Sequence, residues 1–424
     1  MSGQKDILVL ITTDYPFRAV SESFLDDEIN YLAECFDRVV IVPRSYESQE
    51  EEVSRQLPDN VEIDKSILLK NDVKGIIRYF VELSFFVIQN LGNDRYRQII
   101  FCKDTYLNNE KIKYLAGAVI VKNWIENFIE ENTENIDNTV FYSYWPNAAA
   151  MGIGLQDKQK INVISRAHRR FLYEEHAPQM SIPFRYETLS TPDIIVPISE
   201  DGKRYIKENY GYVKDVRVSR LGVKPVGYMN RPSTDGAFRI TSLSYVTEIK
   251  RIDLIIEGIK KAADNNPDLE IQWRHIGYGP LFSQMKELAK REQPPNCKMQ
   301  MLGFLTDEEI ESFYQYEPTD LFMNLSSSEG IPVSIMEAQR CGIPVMATDV
   351  GGVSEIINEQ VGVLLPSDPT IEEIADAIQD FIKYPSKAQT KRLASYENWK
   401  KRYCDKINYR HFVGIVKQLM ESNR

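Results

Sequence analysis

The sequence has few of the residues that usually build metal centres and disulfides. Its four histidines form no HExxH pair, and its five cysteines, an odd number, include no CxxC spacing. A dedicated metal site is therefore not expected. Cysteines of this kind are typical of a reducing compartment, so we expect free thiols in a cytoplasmic protein that uses no metal or other cofactor.

Basic residues are outnumbered, and long apolar runs are missing. The net charge of −11 argues against a nucleic-acid partner, although it leaves room for a small basic pocket around one diphosphate. No stretch reaches the roughly 18 apolar residues that a membrane-spanning helix requires. The apolar run Ile7–Ile11 near the N-terminus has the length of a strand and does not resemble a signal peptide.

One segment, Ile76–Leu91, is nevertheless strongly apolar. A buried core helix is the simpler interpretation. The alternative is a helix whose apolar face makes a peripheral contact with the inner face of a membrane or with a lipid-linked acceptor. The sequence leaves both interpretations open.

Strand-length apolar runs alternate with helical patterns along the whole chain, which predicts the α/β class with parallel sheets. Several of these runs are apolar almost throughout, as expected of strands covered by helices on both faces. The predicted strands are Ile7–Thr12, Val39–Pro43, Thr139–Ser143, Asn162–Ser165, Ile194–Ile198, Phe238–Leu243, Ile271–Ile276, Met299–Leu302, Leu321–Leu325 and Pro344–Thr348.

The length of 424 residues favours two domains. The stretch Gly222–Ala237, with two prolines, three glycines and no periodicity, predicts the linker. We therefore expect a first domain over residues 1–222 and a second over residues 223–390. Residues 391–424 read as aromatic-rich helices, which we expect to pack back on the first domain.

The stretch Asp320–Gly352 carries the clearest chemical signal. A predicted strand leads into a polar loop, SSSEG, and then into a helix that is predicted to begin at Pro332. A glycine lets a ligand approach such a loop closely, and the free N–H groups at a helix N-terminus attract phosphate. This arrangement predicts an anion site beside residue 332.

Two carboxylates, Glu329 in the loop and Glu337 in the helix, frame this predicted anion site. Carboxylates are poor partners for phosphate, but they accept hydrogen bonds from hydroxyl groups. Phosphate with hydroxyl groups on either side describes a nucleotide sugar. The alternative is a generic α/β loop with solvated glutamates.

Glu329 and Glu337 match the E-x7-E motif of the retaining GT-B glycosyltransferases of family four. The surrounding segments SSEGIPVSIMEA and GIPVMATDVGGVSEII also resemble that family. The resemblance implies two Rossmann-like doubly wound domains that face each other across a cleft. It further implies metal-independent transfer of a sugar from a UDP- or GDP-sugar to a glycan or lipid-linked acceptor, typically in bacterial polysaccharide assembly.

The resemblance also assigns roles to individual residues of the second domain. Lys250 matches a lysine that binds the donor diphosphate, whereas the family's preceding arginine is Tyr245 here, so Arg251 is expected to replace it. Glu329 is expected to bind sugar hydroxyls and Glu337 the ribose. Further donor contacts are expected at Ser244, Gly277, Gly279, Gly303, Phe304, Gly330, Ile331 and Val333.

In the first domain, the segment SRAH resembles the part of the family that borders the donor sugar. His168 is therefore expected to orient the sugar and Arg166 to contact the donor. The loop after the first strand, within TTDYPFRAVSESFLDDEI, is expected to contribute to the acceptor side, although it lacks the paired glycines of the family.

The chemistry implied is a reaction on one face of the sugar, with Lys250, Arg251 and the helix at Pro332 stabilising the leaving diphosphate. The sequence offers no clear carboxylate nucleophile for a double displacement. Two alternatives remain: another GT-B chemistry such as nucleotide-sugar epimerisation, and a non-catalytic homologue that binds a nucleotide sugar as a partner subunit.

Overall fold

The computed structural model describes residues 4–17, 22–46, 55–70, 73–90, 105–156, 158–174 and 182–422. The chain divides into two compact units. Unit 1 comprises Met1–Arg220 and Tyr409–Arg424, and unit 2 comprises Leu221–Asn408. The division after Arg220 lies two residues before the boundary predicted from the sequence.

Unit 1 contains a parallel six-stranded sheet with the order β4-β2-β1-β6-β7-β8. Its strands are β1 (Ile7–Thr12), β2 (Arg38–Pro43), β4 (Val61–Ile63), β6 (Thr139–Ser143), β7 (Asn162–Ala167) and β8 (Ile194–Pro197), and a separate pair is formed by β3 (Ser45–Tyr46) and β5 (Leu69–Lys70). Its helices are α1 (Leu25–Ala33), α2 (Val73–Gln89), α3 (Thr105–Glu131), α4 (Ala148–Leu155), α5 (Arg185–Ser190) and α6 (Glu200–Asn209).

Unit 2 contains a second parallel six-stranded sheet, with the order β11-β10-β9-β12-β13-β14. Its strands are β9 (Phe238–Leu243), β10 (Ile271–Ile276), β11 (Cys297–Gly303), β12 (Leu321–Asn324), β13 (Val345–Thr348) and β14 (Gly362–Leu365). Its helices are α7 (Ile252–Asp264), α8 (Phe282–Lys290), α9 (Asp307–Tyr316), α10 (Val333–Arg340), α11 (Val353–Ile356), α12 (Ile371–Lys383) and α13 (Pro385–Arg402).

Both sheets are covered by helices on their two faces, which explains why the strands are apolar almost throughout. In β1, Leu8 and Leu10 join the buried cluster that contains α1, whereas Ile7 and Val9 join the cluster on the opposite face with α3. Successive side chains of a strand point to opposite faces, so an apolar residue is needed at every position. The predicted α/β class is confirmed.

The order of each sheet creates a topological switch point, where consecutive connections leave in opposite directions. In unit 1 this point lies between β1 and β6, and in unit 2 between β9 and β12. Loops at the carboxyl ends of the two strands separate there and leave a crevice, which is the usual ligand site of open α/β sheets.

The C-terminal segment divides between the two units. Helix α13 packs on α10 in unit 2, where Trp399 and Tyr403 are buried. A last helix, α14 (Asp405–Ser422), begins in unit 2 and continues into unit 1, where Phe412 is buried against Tyr142. Residues 391–408, which were expected to pack back on the first domain, therefore belong to unit 2, where their large aromatic side chains are buried.

Helix α2 covers the apolar segment singled out in the sequence as far as Gln89; Asn90 follows the helix, and Leu91 lies outside the described residues. One side of the helix packs on α3 through Phe86, which is buried against Leu115 and Val119. The other side exposes five large apolar side chains: Ile77, Phe80, Val81, Phe85 and Ile88. Across the described ranges, no helix has the length and hydropathy needed to cross a membrane.

Candidate donor site

Two loops meet at the switch point of unit 2 and are held together by three consecutive residues. The loop after β9 supplies Ile249, Lys250 and Arg251, and the loop after β12 is the SSSEG segment. The carbonyl oxygen of Ile249 accepts a hydrogen bond from the Ser327 N–H at 2.8 Å. Lys250 Nζ lies 2.5 Å from Glu329 Oε1. Residues that are distant in the sequence thus form one site.

Arg251 joins neighbouring loops of unit 2 through hydrogen bonds to their backbone. It lies in the left-handed region, with φ 44°, between a 3-10 turn and α7. Its Nε donates to the Leu325 carbonyl at 2.6 Å, and its Nη2 donates to the carbonyls of Ser326 at 3.1 Å and Ser367 at 2.8 Å. Its Nη1 lies 3.3 Å from the carboxylate of Asp368, which is almost fully exposed. The predicted contact of Arg251 with a diphosphate remains a prediction, because most of its hydrogen bonds hold backbone carbonyls of neighbouring loops.

Glu329 is 7% exposed and lies at the centre of the site. Its Oε1 accepts from Lys250 and, at 3.3 Å, from Asn324 Nδ2. A Cβ on Gly351 would lie 2.0 Å from the Glu329 carbonyl oxygen, and Gly351 has φ 52°. Gly351 is therefore required for the close approach of this turn to the Glu329 loop.

Helix α10 begins at Val333, one residue later than predicted, and Pro332 occupies the position before the helix. The first N–H groups of any helix lack intrahelical acceptors, so this end of α10 offers donors beside Gly330 and Ile331. Glu337 lies in the second turn. Burial raises the pKa of its carboxyl to about 7; Arg340 lowers it, and Asp307 and Glu311 raise it.

The glycine turn after β10 packs closely against the loop after β9. A Cβ on Gly277, which has φ 137°, would lie 1.9 Å from the Ser244 carbonyl oxygen, and a Cβ on Gly279 would lie 2.5 Å from that of Val246. Both glycines therefore allow two loops to pack backbone to backbone. Their predicted direct contact with a donor remains a prediction, because their place in the fold is explained by packing.

Two exposed aromatic residues lie at the same end of the sheet. Phe304, which was predicted as a donor contact, is 62% exposed, and Tyr278, which the sequence analysis missed, is 56% exposed. Their two glycine neighbours are bonded, with the Gly277 N–H donating to the Gly303 carbonyl at 2.8 Å. The signal for Tyr278 was its position between the two glycines of the turn after β10.

Arg166 in unit 1 is a structural residue. Its side chain is fully buried, and Nη2 lies 2.9 Å from Glu28 Oε2, which is also fully buried. Its Nη1 donates to the Ser219 carbonyl at 3.0 Å, and its guanidinium stacks 4.3 Å from the Phe412 ring centre. The predicted donor contact of Arg166 is therefore wrong, because the cation faces the core between β7 and α14.

His168 follows β7 and is 5% exposed. Its ring packs against Trp145 at 4.7 Å and Tyr144 at 5.1 Å between centroids, and stacks with Phe24 at 6.0 Å. Burial, together with the nearby Arg166, holds the pKa of His168 well below its usual value. The imidazole is therefore neutral at physiological pH, and its predicted role in orienting a sugar remains a prediction.

Sequence reasoning also missed Asn324 and Ser326, which shape the loop after β12. Asn324 Oδ1 accepts from the Ser326 N–H at 3.1 Å and from its hydroxyl at 2.7 Å. A polar residue that ends an otherwise apolar strand was the available signal. In the described part of the chain, no group of three or more His, Cys, Asp or Glu side chains could hold a metal ion.

Comparison with known proteins shows what the segment around this site resembles. Residues 231–401 match the model of the family described as glycosyl transferases group 1. Unit 2 therefore carries a glycosyl transferases group 1 domain.

Two of the curated relatives are named for bacterial polysaccharide biosynthesis. The chain is 24% identical over 257 residues to the amylovoran biosynthesis glycosyltransferase AmsK of Erwinia amylovora, covering 59% of this chain and 61% of the relative. It is 26% identical over 183 residues to the putative colanic acid biosynthesis glycosyltransferase WcaL of Escherichia coli K12, covering 42% and 44%. The matches thus span less than two thirds of the length of these relatives.

Solved structures show the same fold over nearly the whole chain. The lipopolysaccharide outer core galactosyltransferase WaaB superposes with a TM-score of 0.69 at 13% identity, covering 97% of this chain and 99% of its own. The sucrose-phosphate synthase of Thermosynechococcus elongatus superposes with a TM-score of 0.71 at 13% identity, covering 98% and 100%. The GT-B fold expected from the sequence, with two Rossmann-like doubly wound units, is confirmed.

The reassignment of Arg166 gives a stability prediction. Arg166→Met should lower the free energy of unfolding of unit 1 by about 3–5 kcal/mol, because Glu28 would be left as a buried, unpaired charge. Arg217→Met is the matched control, since its ion pair with Asp215 is about 40% exposed on both sides and should contribute less than about 1 kcal/mol. Urea unfolding of both variants measures the difference. Adding Glu28→Gln to Arg166→Met should restore part of the loss; equal stability of Arg166→Met and wild type would contradict the assignment.

Proposed function

We propose that this protein is a retaining glycosyltransferase that binds the diphosphate of a UDP- or GDP-sugar at the switch point of unit 2. The observation that carries the proposal is the contact between Lys250 and Glu329 at the N-terminal end of α10. A cation, a carboxylate and a helix N-terminus share one crevice. Together they suit a ligand with both phosphate and hydroxyl groups.

The charges of the site support electrostatic stabilisation of a leaving diphosphate. Lys250 is the cation that we expect to bind phosphate, because its ammonium faces Glu329, whereas Arg251 holds three backbone carbonyls and lies beside Asp368. The N–H groups that begin α10 supply further positive potential. When a diphosphate binds, Lys250 would exchange its bond with Glu329 for a phosphate oxygen, and the released Glu329 would accept from sugar hydroxyls.

This arrangement suits transfer on one face of the sugar. The bond from the anomeric carbon to the diphosphate breaks with its electron pair on the leaving oxygen, which Lys250 and the helix stabilise. The acceptor hydroxyl enters from the same side and passes its proton to the leaving diphosphate oxygen as the new bond forms. Since the leaving charge is neutralised by Lys250 and α10, no divalent metal is needed.

We further propose that the acceptor is a growing glycan or its lipid-linked form in bacterial polysaccharide synthesis, inside the cytoplasm. The names of the relatives in amylovoran, colanic acid and O-antigen biosynthesis support this setting. Complexes of structural neighbours contain UDP, as in HepE of Anabaena with UDP and glucose. These neighbours favour a UDP-sugar as the first donor to test.

The test of the function is donor binding followed by turnover. UDP- and GDP-sugars are screened by thermal unfolding, where a ligand at about 100 times its Kd adds about 2.7 kcal/mol of stability. Release of UDP or GDP is then measured with the donor that binds. Binding without release, even with glycan acceptors, would favour the non-catalytic homologue. Binding of none of these donors would contradict the proposal.

Glu329→Gln should lower kcat about 100- to 1000-fold, because a neutral amide cannot stabilise positive charge at the anomeric carbon. Lys250→Met should lower kcat/KM for the donor by a similar factor through loss of phosphate binding. Steady-state release of the nucleotide measures both. The control is Glu372→Gln, an exposed residue of α12, which should have wild-type kinetics. Wild-type turnover of Glu329→Gln would remove this residue from the site.

Donor affinity should depend on pH through Glu337. The carboxyl has a pKa of about 7 in the free protein, and only its ionised form can accept both hydrogen bonds of a ribose diol. Affinity should therefore be full near pH 8 and fall about tenfold by pH 6. Calorimetry across this range measures the effect. Glu337→Gln should bind weakly and without this slope; the same slope in the variant would assign it to another group.

We also propose that the exposed stripe of α2 makes a peripheral contact with a membrane surface. The five exposed residues lie at positions 77, 80, 81, 85 and 88, a spacing that places them on one side of a helix. A surface helix of a soluble domain seldom exposes so many large apolar side chains together. A lipid surface accepts such a face by partial insertion.

Vesicle co-sedimentation tests this contact. Phe80→Ser combined with Phe85→Ser should lower binding to anionic phospholipid vesicles at least about tenfold, because two aromatic side chains that would be buried in the lipid are removed. Tyr316→Ser is the control, since Tyr316 is 71% exposed on α9 of unit 2 and should leave binding unchanged. Absence of vesicle binding by the wild-type protein would contradict the proposal.

A further inference from the structure

The loop after β1 in unit 1 contains an anion site that is filled by a side chain of the same chain. The backbone N–H groups of Thr13, Asp14 and Tyr15 all donate to the Glu22 carboxylate, at 3.0, 3.1 and 2.9 Å. The fourth donor is the indole Nε1–H of Trp145, which follows β6. Four N–H donors thus converge on one carboxylate that is 5% exposed.

The donor set fits an ionised carboxylate. Burial raises the pKa of Glu22, whereas the hydrogen bonds from Thr13, Tyr15 and Trp145 lower it. Every partner named above is an N–H donor, and a protonated carboxyl would turn its own O–H against one of them. Several consecutive N–H groups that point at one centre form a nest, which binds phosphate and other oxyanions in many proteins. Glu22 also has φ 54°, an uncommon conformation for a residue with a side chain. The loop therefore keeps Glu22 in a strained conformation that delivers its carboxylate to the nest.

The position of this nest is that of a ligand site. It lies at the carboxyl end of β1, and Trp145 follows β6, so the donors come from the two strands of the unit 1 switch point. Open α/β sheets bind ligands at this point, often through phosphate groups. The ring of Trp145 also packs against the ring of His168, with 4.7 Å between their centroids. The filled nest therefore shares a packing neighbour with His168.

We propose that Glu22 is a specificity-determining residue: its carboxylate closes the oxyanion site of unit 1, so this edge of the sheet accepts a hydroxyl-bearing acceptor and rejects a phosphate or carboxylate group. A second anion would be repelled by the buried Glu22 carboxylate and would find the N–H donors of the nest already bonded. Repulsion between like charges is a usual means of discriminating between ligands. The identity of the excluded group as part of the acceptor rests on the proposed function. The oxyanion site itself does not.

Removal of the side chain should reopen the site. Glu22→Ala deletes a group with the atoms of acetate, so acetate can replace it. We expect the thermal midpoint of Glu22→Ala to rise by about 2–4 °C in acetate or inorganic phosphate relative to chloride at equal ionic strength. Acetamide, which has the same shape without the charge, should give no rise. Wild type and Glu34→Ala, which removes an exposed carboxylate after α1, should show no anion-specific rise.

Each outcome decides the question. A folded Glu22→Ala that responds equally to acetate and acetamide, or to neither, overturns the oxyanion site, and an equal acetate response in wild type places the ion elsewhere. If Glu22→Ala does not fold alone, recovery of folded protein in acetate but not in acetamide supports the site, and recovery in neither contradicts it. No nucleotide sugar is used, so a failure of the proposed transferase activity would leave this result standing.

Discussion

The candidate donor site depends on one constraint, the joining of two loops at the switch point of unit 2. Ile249, Lys250 and Arg251 each bond to the loop after β12, and they do so with a carbonyl, an ammonium and a guanidinium. Arg251 fixes the backbone, which leaves Lys250 and Glu329 opposed at the start of α10. Without this attachment the cation and the carboxylate would stand on independent loops.

The protein uses buried charge for two separate purposes. Arg166 and Glu28 neutralise each other deep in unit 1 and hold α14 against the sheet through Phe412. Among the residues that the structure describes, the hydrogen bonds of Glu22 come from backbone and indole N–H groups and not from a cation. Lys250 and Glu329 differ from both, because they pair with each other at the switch point of unit 2, where we propose that a ligand replaces this contact.

Much of the fold followed from local patterns. Four predicted strands, Ile7–Thr12, Thr139–Ser143, Phe238–Leu243 and Ile271–Ile276, have the bounds of the structure. Such strands are buried on both faces, so their apolar runs are uninterrupted and easy to find. The strand Gly362–Leu365 at the edge of the second sheet was missed, because it is short and two of its four residues are only half-buried.

The sequence by itself determined the two-domain α/β class, the parallel sheets and the motif that links Glu329 with Glu337, since these depend on periodicity and spacing along the chain. Only the tertiary structure decided which charges are free to meet a ligand. The sequence places three basic residues close to matched motifs: Arg166, Arg251 and Lys250. In the folded chain Arg166 is buried in an ion pair with Glu28, and Arg251 is bonded to backbone carbonyls of neighbouring loops. A side chain's partner is set by residues far away in the sequence, and spacing carries no information about them.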